Sequence, residues 1–485
     1  MRGAAAWGAV AVSTIGTMSE SGLRQAQDKM RDAGVSRAAI DVFTHYYGQL
    51  EQGATGMIAE DTIEPFTDPP RLADVTVSAE ERAAALDATV VIKLNGGLGT
   101  SMGMDRAKSL LPVRGGKTFL DMIVGQVRAA RIATGARLPL LFMNSFRTRD
   151  DTLAALGAYE DLPVPGVPLD FLQNSEPKLL VDDLTPVSWP DDPSLEWCPP
   201  GHGDIYTALE DSGVLDILLE KGFRYASVSN SDNLGAAPSG EIAGWFAASG
   251  APYAAELCRR TANDRKGGHL AVRKSDGRLI LRDTAQTSPE EMHHFTDEHR
   301  HPYFHTNNLW FDLQALRDTL AERDSVLGLP MIKNVKNVDP SDSSSPQVVQ
   351  IESAMGAAIE VFPGATAIAV GRERFLPVKT TNELLLVRSD VFEVDAAGRL
   401  VQVSGTLPTI QLDPQYYKKV GDFDQRFPAG PPGLRTAGSL QVTGDWTFGA
   451  DVVISGDVSL GVEGTPGTVE TGSLLDHRRD PLTDQ

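Results

Sequence analysis

The chain has 485 residues, 41% of them hydrophobic, and a formal net charge of −21. That length supports a sizeable core divided into two or three domains, while the acidic balance excludes a broad nucleic-acid or anionic-membrane footprint, so bound phosphate requires a local basic site. Two cysteines, Cys198 and Cys258, without a CxxC pair exclude a disulfide framework and a Cys-rich zinc site, and they fit a reducing cytoplasm.

Met1 to Thr17 is small and apolar around Trp7 with Arg2 as its one basic residue. Its thin n-region and the interruptions at Gly8, Ser13, Thr14 and Gly16 set it apart from a signal peptide; a disordered extension, or a start at Met18, is the expectation. Ser19 to Gln52 carries apolar residues at helical spacing (Leu23, Ala26, Met30, Val35, Ile40, Phe43) and predicts a short helical region, followed by a turn-rich stretch with Pro65, Pro69 and Pro70. Apolar runs at Thr89 to Leu94, Leu138 to Met143, Tyr225 to Ser229, Tyr253 to Leu257 and Thr366 to Val370 alternate with helical patterns. Such alternation predicts an α/β sheet with helices on both faces and ligands beyond the carboxyl ends of its strands. No apolar run reaches the length needed to span a bilayer.

The tail changes rhythm. Leu440, Trp446, Val452 and Val458 recur every six residues, each followed two places later by Val442, Phe448, Ile454 or Leu460. That hexad suits the short faces of a small parallel β-helix, with a two-strand meander as the alternative. So few hexads cannot bury their own core, so the tail is expected to dock on the main domain or to mediate homo-oligomer contacts. The division expected is 1–60 for the N-terminal extension and helical region, 61–407 for the catalytic domain and 408–485 for the tail.

The sharpest signal for chemistry is Val90 to Gly103, VVIKLNGGLGTSMG, in which a strand runs into a loop with glycines at 96, 97, 99 and 103. Glycines let backbone N–H groups converge on a phosphate without adding net charge. Met104 after Gly103 excludes the kinase-type P-loop, and the spacing of Gly97, Gly99 and Gly103 misses the dinucleotide motif by one residue. Lys108, five residues on, stands where a cation reaches phosphates held by that loop.

KLNGGLGTSMG resembles the signature of the eukaryotic-type UTP–glucose-1-phosphate uridylyltransferases within the UDP-sugar pyrophosphorylase superfamily. Further blocks match that family in order: FLQNSEPKL, PPGHGDIY, SNSDNLGA, HTNNLWFDL and RFLPVKTTNELLLVRSD, so that the resemblance covers roughly Val90 to Asp390. It implies a nucleotidyltransferase fold, a Rossmann-like, GT-A-type mixed sheet with helices on both faces, followed by a small C-terminal left-handed parallel β-helix. The implied reaction joins UTP and glucose 1-phosphate into UDP-glucose and pyrophosphate with Mg²⁺ as cofactor. The implied partners are these small molecules, with neither nucleic acid nor membrane.

Asp232 follows an expected strand, where its carboxylate can hold Mg²⁺ as a hard oxygen ligand; an Asx-turn is the bland alternative. The resemblance implies metal binding by Asp232 and catalytic phosphate contacts from Lys108 and Lys379. It also implies nucleotide contacts from Leu94, Asn95, Gly96, Gly97, Gln173 and Gly201, as well as from Asp232 and both lysines. Substrate contacts are implied from Gly97, His202, Asn230, Asp232, Asn307 and Asn308. These residue types suit their tasks: Gln173 has the donor and acceptor to read a uracil edge, and the paired amides of Asn307 and Asn308 suit sugar hydroxyls. Arg372 and Arg374 are weaker candidates. Where the family usually has Gly-Pro-Lys-Ser, this chain has Arg106-Ala107-Lys108-Ser109, which keeps the lysine and alters its approach. Thr100-Ser101 replaces the Thr-Arg of N-acetylhexosamine relatives and favours glucose. The alternatives are a pyrophosphorylase for another UDP-sugar and a non-catalytic UDP-sugar-binding module.

Overall fold

The chain is described by a computed structural model over residues 21–261, 264, 267–461 and 466–476; Met1 to Thr17 lies outside the described residues. The helical spacing near the N-terminus produces helices over 21–32 and Arg37–Glu51, the second capped by Ser36, whose hydroxyl accepts the Ala39 N–H at 3.0 Å. Their inward residues Met30, Phe43, Tyr46 and Tyr47 pack with Leu179, Met331, Val349 and Ile351 of a small antiparallel sheet.

The central sheet has seven strands: β1 (Thr89–Asn95), β2 (Leu140–Asn144), β3 (Asp170–Leu172), β4 (Tyr225–Asn230), β5 (Tyr253–Arg259), β6 (Tyr303–Asp312) and β7 (Thr366–Val370). Their spatial order is β7-β5-β6-β4-β1-β2-β3. Only β6 runs antiparallel to its neighbours; β1, β2, β3 and β4 are mutually parallel, as are β5 and β7. Successive side chains leave opposite faces of a strand, and both faces here are buried, which is why the strands read as continuous apolar runs. Val91, Phe142 and Trp310 join one core with helices Phe119–Thr134 and Gly240–Ser249. Val90, Ile92, Leu141 and Leu309 join the other with helices Ile205–Asp211, Val214–Glu220 and Leu313–Glu322. The fold is therefore a mixed α/β sheet covered by helices. Two strands escape the apolar-run pattern: β3 is only three residues long, and the polar HTNN run interrupts β6.

In the tail, strands Thr409–Leu412, Gly433–Val442, Val453–Leu460 and Leu474–Asp476 pair in parallel, as do Trp446–Phe448 and Gly467–Val469. Leu440 stands beside Val458 and Val442 beside Leu460, an offset of 18 residues, or three hexads. All eight hexad residues are buried, in the same core as Phe119, Leu384 and Val391 of the main body. The tail thus completes its core against the central unit, with Leu434 N–H donating to Asp390 and Leu412 N–H to Asn382. Among the described residues no helix is long and apolar enough to cross a membrane.

Candidate active site

Strands β1 and β4 lie side by side with Asn230 opposite Leu94, so the loops leaving their carboxyl ends are neighbours. Ser231 N–H donates to the Leu94 carbonyl at 3.0 Å, and Lys108 N–H donates to the Gly97 carbonyl at 3.1 Å. Gly99 and Gly103 adopt left-handed backbone, φ +65° and +75°, which closes the loop and delivers Lys108 despite the altered Arg106-Ala107 approach. Gly97 is exposed with open space around its Cα, leaving its backbone free to meet a ligand.

At the end of β4 the Asp232 carboxylate is buried, and its Oδ2 accepts from Lys108 Nζ at 2.8 Å and Lys379 Nζ at 2.9 Å. Lys379 comes from far along the chain because its segment is laced to this loop: Leu376 N–H donates to Asn233 Oδ1 at 2.8 Å and Val378 N–H to the Asp232 carbonyl at 3.1 Å. Lys108 Nζ also donates to the Val378 carbonyl. Burial works to raise the Asp232 pKa, but the Lys379 and Lys108 ammonium groups outweigh it and hold the carboxylate ionised below its ordinary value. The Asx-turn here belongs to Asn233, whose Oδ1 accepts the Gly235 N–H, leaving the Asp232 carboxylate for other work. Lys93, fully buried, braces the same loop by donating to Ser229 Oγ at 2.7 Å and the Ala236 carbonyl at 2.8 Å; burial pulls its pKa down to about 7.

Asp232 Oδ1 is buried without a hydrogen-bond partner among the described residues, a lone pair set suited to a hard cation. Among the described residues no group of three or more His, Cys, Asp and Glu side chains could hold a metal. The protein thus offers one carboxylate oxygen, which fits Mg²⁺, a cation that ordinarily completes its octahedron with water and phosphate oxygens.

Gly201 (φ +83°) leads into the His202 turn, and an added Cβ there would lie 2.6 Å from the Ser353 carbonyl oxygen, so only glycine fits. His202 Nδ1 accepts the Met355 N–H at 2.9 Å, which places the ring proton on Nε2. Burial, with Lys379 nearby, pulls its pKa down to about 4, so the imidazole is neutral at physiological pH. Gln173 packs its amide against Gly96, where a Cβ would stand 2.6 Å from Oε1. Asn95 is buried, donating to Asn144 and Thr152 and accepting from Ser231 Oγ; its side chain ties three strand ends together, and its backbone faces the loop.

The far wall is a bulge in β6: Thr306, Asn307 and Asn308 stand opposite the single residue Glu256 of β5. Asn307 has left-handed backbone, φ +59°, and lines the cleft. Asn308 lies behind it, buried, with its amide donating to Glu256 and the Arg374 carbonyl and accepting from Asn233. Beneath the bulge Glu256 and Arg374 form a buried, two-pronged ion pair at 2.7 and 3.0 Å, and Trp310 Nε1 adds a bond at 3.0 Å. Arg372 instead pairs with Asp264 across the cleft mouth. The cleft holds about 1230 Å³ and is lined by Asn230, His305, Asn307, Phe375 and Lys379 among others. The glycine loop, Gln173, Gly201 and His202 are not among its lining residues, so this volume describes the side of the site bounded by the β6 bulge and Lys379.

A family model described as UTP–glucose-1-phosphate uridylyltransferase matches residues 40–455. The chain belongs to that family. It is 39% identical to the UTP–glucose-1-phosphate uridylyltransferase of Solanum tuberosum over 406 residues, 83% of this chain and 82% of the relative. The corresponding protein of Hordeum vulgare is 36% identical over 466 residues, 94% and 96% of the two chains. A mutant UDP-glucose pyrophosphorylase from Leishmania major, solved in complex with UDP-Glc, superposes with a TM-score of 0.88 at 39% identity, covering 94% of this chain and 98% of that one.

Three parts of this uridylyltransferase site carry no role in the motif reading: Lys93 and His305, which stand inside KLNGGLGTSMG and HTNNLWFDL, and the Glu256 carboxylate opposite Arg374, which stands outside every block. A lysine in VVIKL and a glutamate in AAELC were the available signals, since a charge inside an apolar strand requires a partner or a polar cradle.

Proposed function

We propose that this enzyme transfers the uridylyl group of UTP to glucose 1-phosphate in the cleft between the glycine loop and the β6 bulge. Convergence of Lys108 and Lys379 on Asp232 beside that loop is the observation that carries the reading. A phosphate oxygen of glucose 1-phosphate forms a bond to the α-phosphorus of UTP while the bond between that phosphorus and its bridging oxygen to the β-phosphate breaks. Pyrophosphate leaves on the opposite side. The nucleophile is already ionised at neutral pH, so no proton is transferred and no general base is required. Catalysis rests on orientation and on neutralising charge as two anions meet, the task of Lys108, Lys379 and the loop N–H groups. Mg²⁺ held by Asp232 would supply further neutralisation of phosphate charge.

In this reading Gln173, with Leu94, Asn95, Gly96, Gly97 and Gly201, frames the uridine, the three residues before Gly97 at the end of β1 and the start of its loop acting mainly through their backbone. Gly97, His202, Asn230 and Asn307 meet the sugar phosphate, and Asn308 supports that wall from behind. His202 serves as a neutral Nε2–H donor. We assign residues 61–407 to the catalytic unit and 408–485 to the C-terminal domain and tail, whose described residues we read as a small left-handed parallel β-helix; the 18-residue parallel register supports its coil. Two buried, unpaired cysteines fit a cytoplasmic setting. The test is sugar choice under Mg²⁺ titration: glucose 1-phosphate should support turnover far better than N-acetylglucosamine 1-phosphate or galactose 1-phosphate, and chelation should abolish it. Preference for another sugar, or metal-independent turnover, would overturn the corresponding part of the assignment.

A further inference from the structure

The three residues of the β6 bulge are held in different ways. Its shoulders are stapled to β5: Thr306 Oγ1 donates to the Glu256 carbonyl at 2.8 Å, and Asn308 Nδ2 to the Glu256 carboxylate at 3.2 Å. Its crown, Asn307, is a non-glycine residue in left-handed conformation, a state that persists only where its surroundings enforce it. Its amide makes no hydrogen bond among the described residues and is left to the cleft. The crown's backbone N–H is held by a side chain: His305 Nδ1 accepts it at 3.0 Å.

His305 is itself clamped. Its backbone N–H donates to the Gly268 carbonyl at 2.7 Å, and its ring is buried against Gly356, where an added Cβ would lie 2.9 Å from Cε1. The ring's Nε2 has no partner among the described residues. A buried polar atom left unsatisfied is costly, so this ring is not placed by its own stability. What it accomplishes is to fix the Asn307 kink at the cleft wall.

We propose that His305 is a positioning residue for sugar recognition: it accepts the Asn307 N–H, locks the left-handed crown of the bulge, and thereby aims the Asn307 amide at the hydroxyls of the sugar phosphate. The inference rests on the reading that Asn307 meets the sugar. Removing the acceptor frees the crown to relax toward ordinary β backbone, which turns its side chain away from the cleft. The effect belongs to the sugar half of the site, to which Asn307 is assigned together with His202, whose charge state acts on His305.

Steady-state kinetics of four variants test it. His305→Leu should raise KM for glucose 1-phosphate about 10-fold, the scale of a lost hydrogen bond plus a misaimed contact, and leave KM for UTP unchanged. His305→Asn, whose Oδ1 can stand in for Nδ1, should recover most of the wild-type value and also serves if the leucine variant does not fold. Asn307→Gly keeps the backbone conformation and removes the amide; it should show the same sugar-selective loss. The double variant His305→Leu/Asn307→Gly should be no worse than Asn307→Gly alone, since both act through one contact. Equal rises in both KM values, an unrescued asparagine variant, or additive losses would overturn the role of His305. A normal glucose 1-phosphate KM in Asn307→Gly would instead overturn the Asn307 reading beneath it.

Discussion

Replacing Lys379 with alanine separates what the lysine does for the fold from what it does for the reaction. Lys108 and Lys379 both donate to Asp232 Oδ2, but the Lys379 side chain is 57% exposed and that of Lys108 only 16%. Solvent screens the outer pair, which therefore contributes less than about 1 kcal/mol to stability, and Lys108 remains to hold the carboxylate after the outer lysine is gone. Against an oxyanion developing in the cleft the same ammonium is a fixed, preorganised donor, and losing one such donor costs on the order of 10²-fold in turnover, roughly 2.7 kcal/mol. Lys379→Ala should therefore unfold at nearly the wild-type denaturant midpoint and bind UTP in titration calorimetry within a few-fold of normal. Its kcat for pyrophosphate release at saturating substrates should fall about 100-fold or more. Near-normal kcat, or a loss confined to the UTP KM, would refute the reasoning.

Arg374→Met should destabilise the enzyme by about 3–5 kcal/mol in urea unfolding, because it strands the Glu256 carboxylate that Arg374 holds in its buried pair; a midpoint shift worth less than about 1 kcal/mol would contradict that. His305, which burial pulls from 6.5 down to about 4, contributes to the pH dependence alongside His202, which is pulled down as far. Between those values only the unfolded chain takes up the proton, so stability is fully present above pH 6.5 and is lost as pH falls toward 4, by roughly 3 kcal/mol for this one group. The loss between pH 7 and pH 4.5 should be visibly smaller in His305→Asn, and an equal loss would remove His305 as its source.

Much of the sheet and of the phosphate end of the site was legible because local pattern and chemistry coincide there. A continuous apolar strand that ends in clustered glycines announces a parallel strand and its ligand loop, and β1 and β4 both have that form or end in a short acidic turn. The hexad in the tail was legible for a similar reason: its apolar pairs stand side by side after 18 residues, three repeats of six, the observed register. What stayed hidden depends on partners chosen by topology. Glu256 and Arg374 are 118 residues apart and meet only because β5 and the segment after β7 converge. The bulge in β6 reverses the expectation that neighbouring Asn307 and Asn308 act as a pair: one faces the cleft and the other is committed to Glu256. Nor could spacing show that His305, rather than either asparagine, sets the geometry of that wall.

The most direct test of the central claim is pyrophosphate release from UTP and glucose 1-phosphate with Mg²⁺, measured side by side for the native enzyme and for Asp232→Asn. Robust, glucose 1-phosphate-dependent release that collapses in the variant, with UDP-glucose as the co-product, is the predicted result. Release that persists in Asp232→Asn would contradict the placement of the metal and of the two lysines around that carboxylate.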